Sequence, residues 1–76
     1  MQNKLTKQQR ATLQEVARLT DMGSHANAYR NRLSRGVLLR LEKAGFIHSV
    51  KPFAGSYHTT TITAAGRAAL EASDDQ

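Results

Sequence analysis

Residues 34–67 read S-R-G-V-L-L-R-L-E-K-A-G-F-I-H-S-V-K-P-F-A-G-S-Y-H-T-T-T-I-T-A-A-G-R. Val37, Leu38, Leu41 and Ala44 fall on one side of a helix with 3.6 residues per turn, and basic residues fall on the others. Ser34 is a candidate N-cap, and Gly45 stops the helix because glycine enters the left-handed region without penalty. Residues 46–50 alternate as a strand does, with Phe46, His48 and Val50 on one face and Ile47 and Ser49 on the other. A Pro/Gly turn occupies 52–56, since proline fixes φ and glycine frees it. The Thr-rich, β-branched run at 57–62 suits a short antiparallel partner. Thr63 then caps a last helix over about 64–72, where Ala64, Ala65, Ala68 and Leu70 are expected to pack against the first helix.

Working back towards the N-terminus, Thr6 and Gln9 form a capping box. They predict a helix over 7–21 with Leu13, Val16, Ala17 and Thr20 on one face, Leu19 beside them, and Gly23 as its terminator. Ser24 can cap a short second helix over 25–32, with Ala26, Tyr29 and Leu33 on one side. Two readings of the next residues stand. A turn at 31–34 gives a helix–turn–helix; an unbroken apolar register from Ala26 to Ala44 gives one long helix over 24–44. Asn31, Ser34 and Gly36 are poor helix-interior residues, which favours the turn. The expected core contains Leu13, Val16, Leu33, Val37, Leu38, Leu41, Ile47 and Ile62.

The 76 residues suffice for one domain, with 1–5 and 73–76 expected to be flexible. A domain of this size buries only about 60% of its unfolded surface, so the core is thin. The chain has no cysteine, which removes disulfide frameworks and thiolate zinc sites and favours a reducing, cytoplasmic setting. No apolar run approaches the ~20 residues of a membrane span, and no apolar segment follows Met1 and Lys4 as a signal peptide would require.

The formal charge is +5, and its distribution matters more than its size. Between His25 and Lys51 lie six cations (Arg30, Arg32, Arg35, Arg40, Lys43 and Lys51) against one acid, Glu42. The remaining acids, Glu15, Asp21, Glu71, Asp74 and Asp75, lie outside that window. A positive field concentrated on one helix and one hairpin is the electrostatic footprint of a nucleic-acid reader.

With the elements placed, a family resemblance becomes specific. Residues 38–47 (L-L-R-L-E-K-A-G-F-I) resemble the end of the recognition helix and the start of the wing in MarR-like bacterial and phage winged-helix regulators. Residues 61–67 (T-I-T-A-A-G-R) resemble the second wing strand and following helix of the same group, and the likeness extends over about 6–70. It implies a mainly α (α+β) winged helix-turn-helix: three helices, a two-stranded β-wing and a short C-terminal helix. The turn departs from the family pattern, with Asn and Arg where a small residue is usual. The dimerising helices of larger members have no counterpart in these residues, so the likeness covers the DNA-binding core and leaves monomer and homodimer both open.

The implied function is sequence-specific binding of double-stranded DNA by a small transcriptional repressor. Arg30, Asn31, Arg32, Ser34 and Arg35 stand where a reading helix begins. Arginine pairs bidentately with guanine, asparagine with adenine, and serine with base or phosphate. Arg40 and Lys43 are expected at phosphates, and Lys51, Ser56, Tyr57 and His58 at the backbone or minor groove beside the wing. Each has a plainer reading as a solvated surface residue. His25, His48 and His58 lack ligand spacing and a nucleophile–base set, so neither an enzyme nor a metal or other cofactor is expected. Two alternatives remain: a winged-helix interaction module, such as a phage-encoded inhibitor of a host protein complex, and an excisionase-like architectural DNA binder.

Overall fold

The computed structural model describes residues 5–28, 31–50 and 59–73. Within them the chain is a small α+β fold ordered α1 (Lys7–Asp21), α2 (Arg35–Lys43), β1 (Ile47–Val50), β2 (Thr59–Ile62) and α3 (Ala64–Ser73). The capping box at α1 is present in both directions. The Gln9 N–H donates to Thr6 Oγ1, and the Thr6 N–H donates to Gln9 Oε1, each at 3.0 Å. Two helices end alike. At α1 the Ser24 and Gly23 amides donate to the Leu19 and Thr20 carbonyls; at α2 those of Phe46 and Gly45 donate to Leu41 and Glu42. Gly23 and Gly45 have φ of 80° and 84°, the left-handed conformation this closure needs.

The two strands are antiparallel, pairing Ile47 with Ile62, His48 with Thr61, Ser49 with Thr60 and Val50 with Thr59. Ile47, Thr60 and Ile62 are buried and Ser49 is half-buried, so this face of the hairpin closes the core while His48 and Val50 face out. A residue in an antiparallel pair points its N–H and C=O to the same side, so Thr60 and Ile62 aim theirs away from β1 and need other partners. Thr60 bonds in both directions with Ala26, at 2.9 and 3.1 Å, and the Ile62 N–H donates to Thr20 Oγ1 on α1. Side chains also meet across the ladder: the Ser49 and Thr60 hydroxyls lie 3.1 Å apart.

α1 packs on β2, α2 and α3, and α2 packs on β1. Leu13, Val16, Leu19, Ala26, Ala28, Val37, Leu38, Leu41, Ile47 and Ile62 form one apolar cluster. Leu33 is half-buried at its edge, where full burial was expected. Leu5 also packs against the cluster, and α3 runs through Ser73.

The largest departure lies between α1 and α2. The helix expected over 25–32 is not formed by its described residues. Ala26 is bridged to Thr60, and residues 31 and 32 form a turn. Ser24 therefore opens no helix among the described residues, and its amide instead completes the end of α1. The long helix over 24–44 is also excluded, since Arg32 has φ of 55° and Ser34 is extended. The reason is tertiary: Thr60 needs backbone partners on its free edge, and Ala26 supplies them. Two smaller corrections follow. Ala44 lies at the exposed C-cap of α2. Leu70 packs against the core as expected, but Ala64, Ala65 and Ala68 are exposed, and α3 turns Gly66 and Ala69 inwards in their place.

α3 is pinned at its N-terminus. Thr63 donates its hydroxyl to the Gly45 carbonyl at 2.7 Å and its amide to the Phe46 carbonyl at 3.0 Å, and its Oγ1 accepts from the Gly66 N–H. Gly66 lets this contact form. A Cβ there would collide with the Phe46 carbonyl oxygen and stand 2.7 Å from Ile62 Cγ1.

Candidate nucleic-acid interface

The turn before α2 is held by its own polar groups. The Asn27 N–H donates to Asn31 Oδ1, and the Asn31 N–H donates to the Asn27 carbonyl, both at 2.9 Å. The Leu33 N–H donates to the Ala28 carbonyl at 3.0 Å, and the backbone reverses through Arg32 in the left-handed region. Ser34 then caps α2, accepting from the Val37 N–H at 3.3 Å. Asn31 and Ser34 thus have structural duties inside the chain, and Arg32 is left exposed one residue before Leu33 turns inwards.

At 100° per residue, Val37, Leu38 and Leu41 share the buried side of α2. Arg35, Gly36, Leu39, Arg40 and Lys43 are all exposed and occupy the opposite side. Glu42, the only acid of the helix, sits half-buried at the border. The solvent face therefore carries three cations and no carboxylate. Arg40 and Lys43 also lie in the last turn, where they suit the negative end of the helix dipole.

Charge on α1 and α3 is handled differently. Arg18 pairs with Glu15, and Arg67 pairs with Asp21 at 2.7 Å, joining α3 to the end of α1. The hydrogen bond from Arg18 holds the Glu15 carboxyl below its usual range, and that from Arg67 does the same for Asp21. Arg32, Arg40 and Lys43 enter no ion pair with a described residue. Arg32, Arg40 and Lys43 thus leave exposed positive charge on α2 and the turn before it, and Lys7 is a further exposed cation at the start of α1.

Of the expected contact residues, Asn31, Arg32, Ser34, Arg35, Arg40 and Lys43 are brought to this one helix and its leading turn. Arg30, Lys51, Ser56, Tyr57 and His58 lie outside the described residues. Sequence reading passed over Gly36 and Leu39, although Leu39 sits four residues from both Arg35 and Lys43, a spacing that places it between them on a helix. Leu39 is 44% exposed. Among the described residues no cluster of three or more His, Cys, Asp or Glu is placed to hold a metal, and no helix is long and apolar enough to cross a membrane. Comparison with family models, with curated proteins and with solved structures gave no match.

Proposed function

We propose that this chain is a winged-helix protein of the MarR-like kind that binds double-stranded DNA sequence-specifically, as a small repressor that occupies promoter DNA. α2 is the reading helix in this account, entering the major groove with its outward face. The hairpin of β1 and β2 is the wing, lying on the flanking backbone. The observation that carries the reading is the α2 face itself: Arg35, Arg40 and Lys43 exposed together, with no acid among them. Support also comes from the element order of helix, antiparallel hairpin and helix, and from the bridge at Ala26, which stands in the place of an extra strand before the reader.

Binding then depends on salt, because each phosphate neutralised by a cation releases condensed counterions. Titration of duplex DNA from low to moderate salt measures that slope. Replacing Arg40 or Lys43 by alanine is expected to weaken binding to all sequences alike and to lower the slope by about one. Undetectable duplex binding at low salt, or binding indifferent to salt, refutes the reading. A second reading, a winged helix that occupies a host protein, is favoured by Val50, which is 58% exposed on the outer face of the hairpin.

A further inference from the structure

Three of the glycines in the described residues are accounted for inside the fold: Gly23 and Gly45 by their positive φ, Gly66 by the collision a side chain would cause. Gly36 is not. Its φ is not in the left-handed region, and among the described residues a Cβ there would meet only Ser34 Oγ, at an unstrained 3.8 Å. Glycine in a helix is less stable than alanine because it gives up more backbone freedom on folding. Nothing among the described residues offsets that cost. A bare backbone on an exposed helix face permits close approach of a partner.

Leu39 adds a second, independent observation. It is a large apolar side chain on the exposed side of the same helix, one turn beyond Gly36, with Arg35, Arg40 and Lys43 around it. An apolar side chain ringed by cations suits a surface that is polyanionic at its edges and carries an apolar group at its centre. In the major groove that group is the 5-methyl of thymine, flanked by two phosphate backbones.

We infer that Gly36 and Leu39 form the apolar part of the reading surface. Gly36 lets the first turn of α2 settle deep in the groove, and Leu39 covers a thymine methyl. This rests on the DNA-binding reading above and adds a base identity to it. The charged residues set affinity and register, and this pair makes one position of the site prefer thymine.

The experiment begins by selecting duplexes from a random pool with the native chain. Each thymine of the selected site is then replaced in turn by deoxyuridine, which removes only the methyl group. At one position the native chain is expected to lose about fourfold in affinity, equivalent to the ~0.8 kcal/mol of one methyl-sized apolar group. Leu39→Ala should be indifferent to that same replacement. Gly36→Ala should melt at the same temperature as the native chain or a few degrees higher, yet bind the selected site about tenfold more weakly. If the native chain selects a site but deoxyuridine has no effect and Gly36→Ala binds as well as native, this inference is overturned and the DNA-binding reading stands. If the native chain binds no duplex at low salt, both fall together.

Discussion

Gly66→Ala inverts the usual rule for helices. In an exposed helix interior, alanine for glycine stabilises by about 1 kcal/mol. At Gly66 the new Cβ would overlap the Phe46 carbonyl oxygen and crowd Ile62 Cγ1 at 2.7 Å and the Phe46 carbonyl carbon at 3.1 Å. Two of these obstacles are backbone atoms, which cannot rotate aside, so α3 has to lift. Overpacking of this kind costs about 1–3 kcal/mol. Lifting α3 also stretches the two Thr63 bonds to Gly45 and Phe46, at about 1 kcal/mol each. After the propensity gain, the net loss is about 2–4 kcal/mol. A chain of this length has a total stability of about 4–11 kcal/mol, so the loss is a large share of it. The melting temperature should fall by roughly 10–30 °C. Thermal and urea unfolding followed by circular dichroism measure it, with Ala68→Gly on the exposed face as a control losing only about 1 kcal/mol. If Gly66→Ala proves as stable as the native chain, or more so, the close contact between α3 and the Phe46 backbone is wrong.

Arg32 carries a conformational cost at φ of 55°, where an ordinary L-residue loses about 1–2 kcal/mol. Arg32→Gly relieves it, less what glycine adds to the freedom of the unfolded chain, so a gain of about 0.5–1 kcal/mol is expected in urea titrations. DNA affinity should fall in that same variant and in Arg32→Ala; a Gly variant that gains stability and keeps full affinity removes Arg32 from the interface. The Arg67–Asp21 pair gives a pH dependence. The hydrogen bond from Arg67 lowers the Asp21 pKa in the folded state, so the pair stabilises above the ordinary carboxylate range. That contribution disappears as pH falls through the depressed folded value. Both side chains are well exposed, so the effect is small and weakens with salt. The stability difference between native and Arg67→Gln should shrink to nothing in acid, and a difference that stays constant with pH places the role of Arg67 elsewhere.

Local chemistry was legible wherever it acts over a few residues. Thr6 and Gln9 announce α1, Ser34 announces α2 and Thr63 announces α3, because a cap needs only a hydroxyl and an amide three residues on. Gly23 and Gly45 mark the helix ends for the same local reason. The apolar spacing of Leu13, Val16, Val37, Leu38 and Leu41 gave the buried faces, and the alternation of residues 47–50 gave the hairpin. The cation cluster and its separation from most of the acids were equally legible, since both follow from the order of residues along the chain.

Between α1 and α2 the turn at 31–34 was legible from its poor helix formers, but the extended pairing of Ala26 was decided by tertiary structure. Residues 24–28 carry a cap and an apolar residue at helical spacing, yet Ala26 is drawn into extended pairing. Thr60 and Ile62 point their backbone groups away from β1, and those groups require partners once the core closes over them. That demand comes from residues more than thirty positions away, and no window along the chain contains it. Leu70 was legible as an inward residue, but the inward turn of Gly66 and Ala69 has the same tertiary origin. All faces of α3 are rich in small residues, so composition does not choose among them, and the fit against the Phe46 carbonyl does. Sequence thus set the helices, their ends and the charged face through short-range capping, periodicity and charge. Tertiary structure set which backbone edges are paired and which small residues lie at a contact, because both depend on groups brought together only when the chain closes.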